Sequence, residues 1–287
     1  MLTQEQLASI ESARQAAGGY LPADAVAKIV AEGSTIEELM LDLIPLAKTF
    51  AIPPISNFFV GVVALGASGG LYFGANFEFP GHALSFSIHG EQSATMQALS
   101  FGETGIEMLA ISAAPCGYCR QFLNELTTAS TLKIILPNSP ATLLTALLPA
   151  AFGPSDLGVT AGLMSPQSHG LKLASTANDD VAQAALDAAN RSYAPYSSSF
   201  AGVALKTSDG AIFTGSVAEN AAFNPSMSPL EVAVVSLVIS GGRNYGDIVD
   251  AVLVEAIDAK ASQAGVTREV LDVMTSVPLR ICEAVMP

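Results

Sequence analysis

The sequence predicts an α/β protein in which a three-layer α/β/α domain occurs twice behind a small all-helical N-terminal segment. Two observations carry that prediction. Segments with strand-like patterning alternate with segments of helical periodicity, and the succession of apolar run, turn, apolar run and helix between residues 56 and 102 returns between 197 and 242.

Residues 3–19 and 22–48 have helical periodicity, with Thr3 placed to cap the first segment and Gly18-Gly19 to end it. In SNFFVGVVALGASGGLYFGANFEF an apolar run from Phe58 to Leu65 meets a turn at Ala67, Ser68, Gly69 and Gly70. A second run then leads to Asn76 and Glu78, the pattern of a hairpin. SSSFAGVALKTSDGAIFTGSVAENAAF repeats the plan, from Gly202 to Leu205, through an Asp209-Gly210 turn, to Ile212 and on to Val217. A helix-like segment follows each hairpin, EQSATMQALSFG and LEVAVVSLVISGG. Gly61 to Glu91 is 30 positions and Gly202 to Glu231 is 29. Pro137, Pro140, Pro149, Pro154 and Pro166 place the link between copies in this stretch or soon after it. The expected division is a helical segment over 1–48, a first copy over 49–150, a linker over 151–175, and a second copy over 176–287 that opens with a helix from Thr176 to Ser192.

Composition narrows the setting. Half the residues are hydrophobic and 13% are charged, which suits a globular chain. A net charge of -14 with no cluster of Lys or Arg disfavours nucleic acid as a partner. The start, MLTQEQLASIESARQ, has neither the basic opening and apolar run of a signal peptide nor an Arg-rich transit character. The uncharged stretches 49–77 and 134–155 are broken by Pro, Gly, Asn and Ser, so they read as buried strands and loops and no membrane span is expected. Three cysteines do not make a disulfide framework, and a reducing, cytosolic compartment is expected.

Two of those cysteines stand in AAPCGYCRQFLNEL, three positions apart behind Pro115. That spacing serves a dithiol redox centre, half of a structural zinc site, or two ligands of a catalytic metal. His89 and Glu91 lie two apart in SIHGEQSATMQAL, where a strand region gives way to a helix, and Cys116 follows 27 residues after His89. One imidazole and two thiolates suit tetrahedral zinc and leave its fourth position for water. Pro115 favours a helix start at Cys116, whose first-turn amides would stabilise the thiolates. Glu91 is placed to reach a water on the metal rather than the metal itself, and so to move protons. A redox pair or a structural zinc would leave His89 and Glu91 unexplained.

H-x-E followed by P-C-x-x-C is the signature of zinc nucleoside and nucleobase deaminases. The runs PISNFFVG, YFGANFEF, SIHGEQSA and PCGYCRQFLNEL closely resemble the cytidine deaminases in their long, two-domain, dimeric form of bacteria and plants. The resemblance extends through AFGPSDLG, NRSYAPYS and AENAAFNPS, nearly the whole chain. It implies zinc-dependent hydrolytic deamination of cytidine and 2'-deoxycytidine to uridine and 2'-deoxyuridine with release of ammonia, in pyrimidine nucleoside salvage.

By position, the resemblance implies one zinc per chain on His89, Cys116 and Cys119, and Glu91 as the proton carrier. It implies Asn76 and Glu78 on the ribose 3'-hydroxyl, Phe58 as an aromatic wall, Gly90 and Ala114 beside the base, and Phe152 given to the site by the other subunit of a homodimer. The family usually has alanine where this chain has Gly90, a change of small expected effect.

Aligned by its hairpin, the second copy puts Pro229 at the metal-ligand position, keeps Glu231, has Val217 where the first has Asn76, and lacks PCxxC. A metal-free supporting role is expected for it. His82, His169 and Cys282 receive no role, and the glycines at 66, 69, 70 and 74 lie in and after a turn rather than before a helix, so they make no dinucleotide fingerprint.

Overall fold

The computed structural model describes residues 2–174 and 179–286. Three helices open the chain: α1 (Gln4–Ala16), α2 (Ala23–Ala31) and α3 (Ile36–Lys48). Thr3 and Thr35 cap α1 and α3 in capping boxes with Gln6 and Glu38. The periodic run 22–48 is split because the chain turns at Gly33, whose φ of 113° suits glycine.

The first copy continues with β1 (Gly61–Gly66), β2 (Leu71–Ala75), α4 (Gly90–Ser100), β3 (Ile106–Ile111), α5 (Gly117–Leu123), β4 (Lys133–Ile135), β5 (Thr142–Leu143) and the short α6 (Leu144–Leu147). The sheet order is β2-β1-β3-β4-β5. β1 pairs antiparallel with β2 and β3, β3 runs parallel to β4 with α5 as the crossover, and β5 is antiparallel to β4. The hairpin falls where expected, although β1 begins at Gly61 rather than Phe58. Phe58 and Phe59 are 59% and 50% exposed, so the apolar run extends beyond the sheet.

The second copy has β6 (Lys172–Leu173), α7 (Asp180–Ala189), β7 (Ala201–Thr207), β8 (Ile212–Ser216), α8 (Pro229–Val235), β9 (Ile248–Ala256), α9 (Ala264–Met274) and β10 (Leu279–Val285). A π-helical turn, Ser236–Ser240, continues α8. The expected helix start at Thr176 lies outside the described residues. Its sheet, β8-β7-β9-β10-β6, repeats the first with the same strand directions. The fifth strand differs in origin: β5 follows its sheet in sequence and β6 precedes its own.

Both sheets are sandwiched in the same way. α3 packs on β1 and α7 on β7, while α4 packs on β2 and α8 on β8. Glycines make the close approach possible. A methyl group at Gly74 would lie 2.2 Å from the Gly90 carbonyl oxygen, and one at Gly215 would lie 2.2 Å from that of Pro229.

α4 packs against α8 and the π-helical turn, and one apolar core runs through both copies. The buried Arg14 ties α1 to this centre. It makes a bidentate pair with Glu11 at 2.8 Å and donates to the carbonyls of Gly19 and Ile239, with its guanidinium over Phe50. Among the described residues no helix is long and apolar enough to cross a membrane.

Candidate active site

Two helix starts converge at the end of the first hairpin. His89 immediately precedes α4, in a segment held extended by the bridge between Phe77 and Ile88, and its amide donates to Gln92 Oε1 at 3.1 Å. Cys116 stands in the same position before α5, one residue earlier than the helix itself, and its sulfur accepts the Cys119 amide at 3.5 Å. His89 Nδ1 lies 3.6 Å from Cys116 Sγ and 3.3 Å from Cys119 Sγ, and the sulfurs are 3.6 Å apart.

With Zn–S near about 2.3 Å and Zn–N near about 2.0 Å, a zinc tetrahedron has edges of about 3.8 Å between sulfurs and about 3.5 Å from nitrogen to sulfur. The three donors therefore fit zinc as they stand. All three cysteines are free thiols. A hydrogen bond from the Cys119 thiol brings the Cys116 pKa down to about 5 against the effect of burial, and the same bond, with burial and the nearby Glu91, pushes Cys119 up.

Glu91, one residue into α4, is 5% exposed. Burial pushes its carboxyl up from the usual range, opposed by its own amide, the Cys119 thiol and His89. His89, Gly90, Glu91, Ala114 and Cys116 line a cavity of about 280 Å³ with Phe58, Asn76 and Glu78. A methyl group at Gly90 would lie 2.8 Å from Val62 Cγ2 and 3.0 Å from Val60 Cγ1. Alanine at this position would have to displace both valines.

Two further polar residues of the cavity lining, Asn76 and Glu78, are fixed by one loop. Asn76 Oδ1 accepts the Val60 amide and Nδ2 donates to the Phe58 carbonyl, both at 2.9 Å. One N–H of the side chain is left for a ligand. Glu78 Oε2 accepts the Ile55 and Ser56 amides at 2.9 Å, and Oε1 accepts the Ser56 hydroxyl. Burial works to raise the Glu78 pKa, but these donors more than offset it. A hydroxyl group can accept from Asn76 and donate to Glu78, so the pair is complementary to an alcohol.

Phe152 does not line this cavity. Its ring is 48% exposed, and its carbonyl accepts from Gln121 and Asn124. Sequence reasoning missed Ser56, although Ser197 occupies the matching place in the repeat.

Sequence profiles described as "Cytidine and deoxycytidylate deaminase zinc-binding region" match residues 34–134 and 144–268. A curated cytidine deaminase of Aeromonas hydrophila is 49% identical over 249 residues, 87% of this chain and 84% of the relative. The chain belongs to the cytidine deaminase family. Those of Shewanella loihica and Photobacterium profundum are 46% and 47% identical, over 91% and 85% of this chain and 88% and 82% of theirs.

Among the described residues the second copy has no counterpart of the His89, Cys116 and Cys119 cluster, and the structure corrects how it aligns with the first. The bridge Phe77–Ile88 has its counterpart in Ala218–Met227, so the loop spans nine steps instead of eleven. Ser228, not Pro229, stands where His89 does. Leu230 takes the place of Glu91, and Glu231 takes that of Gln92, each accepting the amide of the residue before its helix. Glu231 is thus a capping residue rather than a retained proton carrier. Val217 does stand in the place of Asn76.

Tyr118, between the two cysteines, was also missed. Its ring lies 5.3 Å from the His89 ring, and its hydroxyl donates to the Asn224 carbonyl of the second copy at 2.7 Å.

Proposed function

We propose that the protein hydrolyses cytidine and 2'-deoxycytidine to uridine and 2'-deoxyuridine with release of ammonia, holding one zinc per chain on His89, Cys116 and Cys119. The observation that carries this reading is a buried carboxyl, Glu91, beside a three-donor metal set at a cavity whose lining also includes the polar pair Asn76 and Glu78. Zinc held by His89, Cys116 and Cys119 would lower the pKa of water from about 15.7 towards about 7 and so would supply hydroxide at neutral pH.

Glu91 accepts a proton from the water and gives it to N3 of the base, which makes C4 electrophilic. Once the water oxygen has added to C4, Glu91 accepts the remaining proton from the new C4 hydroxyl and gives it to the 4-amino nitrogen, so that the C4–N bond breaks, ammonia leaves and the C4 carbonyl of uridine forms. Asn76 donates to the ribose 3'-hydroxyl, Glu78 accepts from it, and Phe58 packs against the ring. Gly90 and Ala114 meet the base through their backbone.

The protein works as a homodimer in the cytosol, in nucleoside salvage, with Phe152 reaching the site of the partner. The exposed Phe58, Phe59, Phe152, Leu157 and Phe223 support an interface. The net charge of -14 supports a free nucleoside over a nucleic acid strand. The first copy carries the chemistry, and the second, from about residue 176, carries none.

An ultraviolet assay of the purified protein with cytidine, deoxycytidine, cytosine, CMP, adenosine and guanine, with zinc measured on the same sample, tests the reading. Turnover of the two cytosine nucleosides at about one zinc per chain is the expected outcome. Zinc-loaded protein inert towards both would overturn it.

A further inference from the structure

The second copy holds a cavity of about 570 Å³ where the first holds the candidate active site. Ser197, Glu219 and Ser228 line it as Ser56, Glu78 and His89 line the other. The chemistry is gone, since Ser228 and Leu230 replace His89 and Glu91, yet the carboxylate clamp is intact. Glu219 Oε2 accepts the Tyr196 amide at 2.9 Å and the Ser197 amide at 3.2 Å, and Oε1 accepts the Ser197 hydroxyl. The two loops share even an unusual backbone turn, with φ of 54° at Asn57 and 57° at Ser198. Aromatic walls stand around the clamp: Phe86 and Tyr118 from the first copy, Tyr196 and Phe223 from the second.

We propose that this cavity is a second nucleoside site in each chain, one that binds a pyrimidine nucleoside and leaves it unchanged. The inference rests on the reading of Glu78 as the acceptor of a sugar hydroxyl. Glu219, held by the same three donors as Glu78, keeps lone pairs for such a hydroxyl. The aromatic side chains offer faces on which a base stacks. With Val217 in the place of Asn76 the hydroxyl has one protein partner instead of two, so binding here is weaker than at the first site. A molecule in this cavity touches Tyr118, whose ring also flanks His89.

Equilibrium dialysis of the zinc-loaded protein against labelled uridine, which undergoes no turnover, tests the proposal. Two uridines per chain are expected. One should remain in Glu219→Gln and in Val266→Trp, which narrows the cavity from the α9 side, and both variants should keep the wild-type rate on cytidine. One uridine or none per wild-type chain, or two in both variants, overturns the second site. A deamination assay on the same samples reads the proposed function separately, since a protein inert to cytidine fails that reading whatever the dialysis shows.

Discussion

The residue before α4 is His89, and the residue before α8 is Ser228. Serine is among the best helix caps, and Ser228 accepts the Glu231 amide at 3.3 Å while Glu231 accepts its own. His89 makes no side-chain capping bond and turns its imidazole to the two thiols. The next position repeats the contrast. The second copy has Pro229, favoured at a first helical position, and the first has Gly90, packed tightly on Val60 and Val62. At this helix start the second copy is the better capped one. The first copy gives up good helix-start chemistry where metal donors and ligand must stand.

Making the first copy resemble the second should produce graded losses. His89→Ser should abolish zinc binding and turnover together, while the melting temperature of the chelated variant equals or exceeds that of chelated wild type, because a capping bond worth about 1 kcal/mol becomes available. A zinc assay and paired melts would check it, and zinc retained at one per chain would remove His89 from the ligand set.

Glu91→Ala should keep zinc and fold while turnover drops by about 10²- to 10⁴-fold. Near-normal rates in that variant would dismiss Glu91 as the proton carrier.

Glu125→Ala tests the tie between copies. This fully buried carboxylate accepts the Tyr193 hydroxyl and the Ala221 amide at 2.8 Å and the Tyr196 hydroxyl. Stripping three donors of their acceptor should cost about 3 kcal/mol in denaturant unfolding, and an unchanged midpoint would discount the tie. Asn76→Val should lower kcat/KM for cytidine about ten- to a hundredfold and leave zinc content alone. Unaltered steady-state kinetics would count against its contact with the sugar.

The smallest effect concerns Glu231. Burial pushes its carboxyl up from 4.5 to about 7, against the pull of the Ser228 donors. Between those values the unfolded chain has released this proton and the folded chain still holds it. This group's contribution to stability is therefore greatest below pH 4.5, declines as the pH rises to about 7, and is level beyond. Glu231→Gln, which copies Gln92, should remove that decline from a series of melts at different pH, and parallel curves for variant and wild type would contradict it.

The hairpins, the Thr3 cap and the set His89, Glu91, Cys116 and Cys119 were legible in sequence because each rests on short spacing and local chemistry. The register of the second copy was not. Glu231 looked like Glu91 by letter, while a loop two residues shorter had shifted the true match to Gln92; the S-x-x-E of SPLE, a capping-box pattern, was the available signal. Arg14, Tyr118 and Glu125 escaped notice because their partners in the second copy lie from 68 to 225 positions away, and no periodicity reports such contacts.

All three donors to Glu125 belong to the second copy. If the copies were separated at the linker, one half would keep a carboxylate without donors and the other two tyrosyl hydroxyls and an amide without their acceptor. At this contact each half serves as part of the other's solvent. The second copy thereby supports the first through this contact, in a way that requires no metal or reaction of its own.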